Sequence, residues 1–307
     1  MRMSPHGTLL RLLPFHVCME CLQDAVLCRD EEDYDALVKI LAVCAFRKDV
    51  IIVIYVGVSN HCHLVVLAGS QADADAFGAE VKRMYAMWFS RKYGERGVMR
   101  GVTVSAIWLD TDWYVRNALA YVPRNALDNG CDVTTYPWSG FRAMFQKPDQ
   151  GSGRYIRVAS LTTRECERIM HTCDDLRRVP WLLDDDLRLV PGSFCDHEFL
   201  EQAFDHDQAF FLKVLGGQNP ADLKNRLIDA PRTRMLDDQC YKAVSELSRH
   251  WFRAELKDLS LNEKIRLLPY IYRTMKTSVP QLARVFGLSR DQVSAILRPE
   301  PRKPGRR

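Results

Sequence analysis

No uninterrupted apolar run in the 307-residue sequence approaches the ~20 residues that a membrane-spanning helix needs. The opening stretch Met1-Arg2-Met3-Ser4-Pro5-His6 carries a basic residue but no signal-peptide apolar core with a small-residue cleavage site. A cytoplasmic protein without a membrane partner is therefore expected. The ten cysteines are scattered rather than framed at regular intervals. In a chain too large to need staples, that pattern predicts reduced thiols. Cys18-x-x-Cys21 has no second close pair, and a continuing strand would send its two thiols to opposite faces. Cys195-Asp196-His197 is equally isolated, so neither reads as a zinc site. Charge of one sign is also lacking, with a formal net charge of only +4.

What is present is a globular composition, 47% hydrophobic and 10% aromatic, with charge unevenly spread. Lys82, Arg83, Arg91, Lys92, Arg96 and Arg100 face a single acid, Glu95, between Val81 and Arg100. From Glu263 onward eleven basic residues stand against three acidic ones. An acidic block led by Asp184, Asp185 and Asp186 separates the two. Basic segments around an acidic spacer fit two polyanion-facing surfaces, or simply solvated faces.

Ile51-Ile52-Val53-Ile54-Tyr55-Val56 and Leu64-Val65-Val66 are Val/Ile-rich runs around a Gly57-Val58-Ser59-Asn60 break, which reads as strand, turn, strand. His61 and His63 open the second strand. Residues two apart on a strand share a face, so the two imidazoles stand side by side. They are either a pair able to hold one metal ion or two histidines satisfied by ordinary hydrogen bonds.

An alternating pattern in Leu13, Phe15 and Val17 predicts a first strand within 9–18. Acidic residues 30–33 precede a helical pattern through Tyr34, Leu37, Val38, Leu41 and Ala45. A second helix is expected over 72–93, a strand over 102–107, and a third helix over 112–127. The first ~145 residues thus read β-α-β-β-α-β-α, an α+β fold with helices on one side of a mostly antiparallel sheet. Residues 146–154 have linker composition. The expected division is a first domain over 1–147, a helical linker region over 148–260 and a terminal region over 261–307.

In that last region a short helix from Val279 ends at Gly287, and Ser289 caps a second helix. Val293, Ile296 and Leu297 point inward there, and Arg290, Gln292 and Ser294 outward. This is the grammar of a helix-turn-helix whose second helix can enter the DNA major groove, or of a plain helical hairpin on the core. The tail Arg302, Lys303, Arg306 and Arg307 adds to the DNA-binding expectation.

On the third helix Tyr121 and Asn125 are four apart and share a face. A tyrosine hydroxyl, with a reference pKa of about 10, is a poor nucleophile until a metal ion polarises its target. The amide oxygen of Asn125 is hard enough to join two imidazoles around magnesium or manganese. From the residues alone, Tyr121 reads equally as a packed tyrosine with its hydroxyl at the surface.

Five stretches carry a family resemblance: Asp30-Glu31-Glu32-Asp33-Tyr34, Ser59-Asn60-His61-Cys62-His63-Leu64-Val65-Val66, Arg91-Lys92-Tyr93-Gly94-Glu95-Arg96-Gly97, Tyr121-Val122-Pro123-Arg124-Asn125 and Tyr136-Pro137-Trp138-Ser139-Gly140-Phe141. In this order over residues 10–145 the chain resembles the single-tyrosine HUH transposases, specifically the REP-associated tyrosine transposase branch. The resemblance implies a ferredoxin-like antiparallel sheet (the HUH endonuclease fold). It also implies cleavage of single-stranded DNA near a folded hairpin. The tyrosine attacks a phosphodiester, forms a 5′-phosphotyrosine link and frees a 3′-hydroxyl. A second strand end then displaces the tyrosine. Carried over residue by residue, Tyr121 matches the nucleophile, and His61, His63 and Asn125 the ligands of Mg2+ or Mn2+. Charge alone suggests Lys82, Arg83, Arg91 and Lys92 for the DNA backbone. Trp88 and Trp138 are either base-stacking platforms or core residues. A monomer or homodimer is expected.

The chain departs from the family pattern at Ser59, usually proline, and at Cys62, usually hydrophobic. Pro123 replaces a histidine and Ala126 a proline. Inside a helix Pro123 predicts a kink between Tyr121 and Asn125, at a cost of ~3 kcal/mol. The alternative to an active enzyme is a domesticated hairpin-binding regulator that keeps the fold without turnover.

Overall fold

The computed structural model describes residues 2–3, 6–7, 9–20, 26–128, 130–145, 155–216, 237–275 and 277–297. Expectations for Cys21, the linker 146–154 and the basic tail fall outside them. Strands β1 (Leu13–Glu20), β2 (Ile51–Val58), β3 (His61–Ala68) and β4 (Thr103–Trp108) form a four-stranded sheet. Its order is β2-β3-β1-β4, with every neighbouring pair antiparallel. Helices α1 (Glu31–Arg47) and α2 (Gln71–Tyr93) provide the crossovers, and α3 (Asp112–Asp128) follows the last strand. The element order β-α-β-β-α-β is that of a split βαβ unit.

The expectation of helices on one side is corrected here. Leu37 and Tyr34 of α1 approach Gly57, and Val104 and Val17 approach Gly78 of α2, so both helices lie on the face of Val17 and Gly57. Tyr121 and Asn125 of α3 meet His16, His61 and His63, which point from the opposite face. The reason lies in the central strands. Every residue from Ile52 to Val58 and from Cys62 to Ala68 is buried, and a strand apolar on both faces needs cover on both.

Several of the quoted stretches serve the packing of the first face. Asp30 caps α1 in a capping box with Asp33. Lys92 Nζ reaches Asp30, Glu32 and Asp33 at 2.6, 2.9 and 2.8 Å, and the Tyr93 hydroxyl donates to Asp33 at 2.8 Å. Arg29 pairs with Glu95 through both carboxylate oxygens at 2.9 and 2.8 Å. The Trp138 ring stacks on Tyr34 at 5.3 Å, and the Tyr136 hydroxyl donates to the Gly57 carbonyl at 2.6 Å.

The boundaries expected at 147 and 260 do not coincide with the packing. The main core continues through Val158, Met170, Trp181 and Leu200 to Leu215. Asp196 N donates to the Ile52 carbonyl at 2.8 Å, tying this later segment to β2. Helices α4 (Thr163–Met170), α5 (His197–Ala203) and α6 (Gln208–Gly216) belong to it. A second cluster joins α7 (Asp237–Phe252), α8 (Leu261–Thr274), α9 (Val279–Phe286) and α10 (Arg290–Leu297) around Leu267, Leu268, Ile271, Leu282, Phe286 and Val293. Gly287 turns between α9 and α10 at φ 61°, where glycine is favoured, and the Ser289 hydroxyl accepts from Gln292 N at 3.1 Å. The two clusters meet at Asp237, whose buried carboxylate accepts from Ser59 Oγ at 2.8 Å and Arg284 Nε at 2.6 Å.

Candidate active site

Antiparallel register builds one wall of the site. Cys18 pairs with His63 and Glu20 with His61, so alternation puts His16, Cys18 and Glu20 of β1 on the same face as His61 and His63 of β3. Their neighbours Val17, Met19, Cys62 and Leu64 point the other way into the core. Helix α3 supplies the second wall. The Tyr121 ring stands 5.2 Å from that of His63 and 5.8 Å from that of His16, edge-on to both. The phenol is 43% exposed, whereas His63 and Asn125 are buried.

Pro123 does not end this helix, and Tyr121 and Asn125 both face the histidines. The helix runs unbroken from Asp112 to Asp128, with Leu119, Val122 and Ala126 fully buried on both sides of the proline. The Asn125 amide also spans the position, Nδ2 donating to the Tyr121 and Val122 carbonyls at 3.0 and 3.3 Å. Packing and these side-chain bonds oppose the local cost of the missing N–H.

With its amide hydrogens so committed, Asn125 turns Oδ1 toward His61 Nε2 at 3.3 Å, across 64 residues of sequence. His61 Nδ1 meanwhile lies 3.0 Å from Asn60 Oδ1. Burial lowers the pKa of His61, and a neutral imidazole has a single N–H to serve two oxygen acceptors. In the tautomer that donates to Asn60, the Nε2 lone pair faces Oδ1, a repulsive pairing that a shared cation relieves. His63 Nδ1 lies 3.2 Å from His16 Nε2, which leaves His63 Nε2 facing Cys18 Sγ at 3.9 Å. Burial, helped by the neighbouring His61 and His16, pushes the His63 pKa down to about 3, and burial lowers that of His16 too. The imidazoles are therefore neutral at neutral pH, the state in which histidine binds metal. Cys18 donates to Glu20 Oε1 at 3.2 Å, and burial followed by that carboxylate pushes its thiol pKa up. His61, His63 and Asn125 thus fit a divalent ion in donor chemistry.

The basic residues read as DNA contacts are not brought to this face. Lys82, Arg83, Arg91 and Lys92 lie on α2, across the sheet. Lys82 donates to the Val102 carbonyl at 2.7 Å, Arg83 pairs with Glu80 at 2.6 Å, and Lys92 is held by its three carboxylates. Trp88 stacks on Tyr85 at 5.7 Å and Trp138 on Tyr34, so both are packing residues. Arg290 and Gln292 are exposed on α10, and Ser294 is half-buried.

His16 and Glu20 were missed by sequence reasoning, and Cys18 was weighed only as a partner of Cys21. Their alternation with Phe15, Val17 and Met19 was visible, but the β1–β3 register that sets them against His61 and His63 was not. No protein-family model, curated protein or solved structure matches the chain. Among the described residues, no helix is long and apolar enough to cross a membrane.

Proposed function

We propose that the chain nicks and rejoins single-stranded DNA through Tyr121. The carrying observation is the exposed phenol set within 5.2 Å, ring to ring, of a buried neutral histidine whose strand also presents His61. A bound Mg2+ or Mn2+ ion would supply Lewis-acid polarisation of the scissile phosphate. His61, His63 and Asn125 would hold it. The Tyr121 oxygen attacks phosphorus, the P–O3′ bond breaks, and the freed 3′-oxygen takes a proton as the phenol loses its own. The phosphotyrosyl bond conserves the energy of the broken ester, so a second 3′-hydroxyl can reverse the step without an external energy source.

Substrate reading rests on chemistry around the phenol. Ile107, Trp113 and Tyr114 are exposed on β4 and the start of α3, the elements flanking His16 and Tyr121, with Ile107 paired to His16 on the same face. Aromatic faces left in water accept unpaired bases by stacking. The α9–turn–α10 unit, with Arg290 and Gln292 outward, serves as the helix-turn-helix contact to duplex DNA in this reading.

The test uses a labelled hairpin oligonucleotide with a single-stranded flank, full-length protein and Mg2+ or Mn2+. A covalent protein–DNA adduct is expected, absent in Tyr121→Phe and at least ~100-fold reduced in His63→Ala. Hairpin binding with no adduct would replace the enzyme by a regulator that holds DNA without turnover.

A further inference from the structure

Cys18 and Glu20, which the nicking reaction leaves unused, form a constellation with His63. Their ligand atoms lie within 4.8 Å of one another. Cys18 Sγ stands 3.2 Å from Glu20 Oε1 and 3.9 Å from His63 Nε2. Bonds of about 2.0–2.3 Å around a tetrahedral ion separate the ligand atoms by roughly 3.3–3.8 Å. The two edges at Cys18 Sγ, 3.2 and 3.9 Å, are already close to that. Strand register imposes the arrangement, since Cys18 is the direct cross-strand partner of His63 and Glu20 lies two residues further on the same face. Cys18 and His63 are buried and Glu20 is exposed, so the site is closed behind and open to solvent at the carboxylate.

We propose that this face binds a thiophilic divalent ion of the zinc type through Cys18 Sγ, Glu20 and His63 Nε2, in preference to Mg2+. One sulfur, one imidazole nitrogen and one carboxylate oxygen form a borderline-soft set. Magnesium favours an octahedron of oxygens and keeps its waters. Ligation breaks the Cys18 S–H bond, forms a sulfur–metal bond and releases the proton to solvent past Glu20. No electron changes hands. The exposed side at Glu20 leaves a fourth position to water. The assignment shares only His63 with the metal set of the proposed function and is independent of DNA cleavage.

The test is titration of the metal-free full-length chain with Co2+, without DNA, read by absorption. A thiolate-to-cobalt charge-transfer band is expected, bleached by Zn2+ and unaffected by excess Mg2+. Cys18→Ser should lack the band. Glu20→Gln, at an exposed position, should keep it with at least ~10-fold weaker Co2+ affinity. The band persisting in Cys18→Ser, cobalt binding without a band, or no cobalt binding would each overturn the proposal. Should Cys18→Ser lose the native circular dichroism spectrum, Glu20→Gln decides, and an unchanged affinity overturns the assignment. An adduct on hairpin DNA with Mg2+ but no thiolate band leaves the nicking reaction standing and removes this site. A Cys18-dependent band without any adduct does the reverse.

Discussion

His63 concentrates the electrostatics of the site in one side chain. Its folded pKa of about 3 lies below the ordinary 6.5, with burial as the main cause. Below pH 6.5 the unfolded chain takes up a proton that the folded chain refuses, so stability falls as pH drops from about 6.5 toward about 3. Above 6.5 that contribution is fully retained. His16 and His61, shifted the same way by burial, act in the same direction. Urea midpoints of chelator-treated protein should therefore decline across this window. Replacing His63 by Gln should flatten the decline, and an unchanged slope would place the proton uptake elsewhere. Tyr121, a few ångströms away, is exposed where His63 is buried. The pair sets a solvent-facing phenol on a dry, neutral backing.

Among the elements, α2 shows how tightly the sheet is covered. A Cβ on Gly78 would stand 2.5 Å from Val104 Cγ1, closer than real Cβ atoms come. Gly78→Ala gains helix propensity but overpacks the α2–sheet contact, and a net loss of ~1–3 kcal/mol is expected by chemical denaturation. A stability gain would show that the strand can yield at its edge. At this scale much of the fold was legible in the sequence. Period-two and period-3.6 patterns marked β1 to β4 and α1 to α3, because the apolar residues that define those periods are the ones buried. The helix continues past Pro123 because burial of Leu119, Val122 and Ala126 outweighs the local penalty of the proline. Cover on both faces was implicit in the continuous runs of β2 and β3, yet pattern alone does not say which helix takes which face.

For the molecule as a whole, the joint at Asp237 matters most. Its carboxylate is buried between Ser59, beside the site hairpin, and Arg284 on α9. Asp237→Ala leaves a guanidinium with 14% side-chain exposure without this carboxylate, and a cost of ~3–5 kcal/mol is expected. Faster hydrogen exchange at Val58 to His61 should accompany it, and unchanged exchange there would mean that the joint does not steady the hairpin. Neither half of this joint was legible in the sequence, because Ser59 and Asp237 are 178 residues apart and each looks like an ordinary turn or capping residue. The site divides in the same way. The His-x-His pair and the Tyr121–Asn125 spacing are local and readable, whereas His16, Cys18 and Glu20 depend on strand register.

Where the main core ends has a practical outcome for anyone trimming the gene. A fragment stopped near residue 147 forfeits Trp181, Leu200, Phe204 and Phe211, and bares the apolar surface they cover. One stopped at 260 strands the Asp237 carboxylate away from its guanidinium. Shortened versions of either kind are expected to clump on expression, and a sound reagent keeps both clusters, through Leu297.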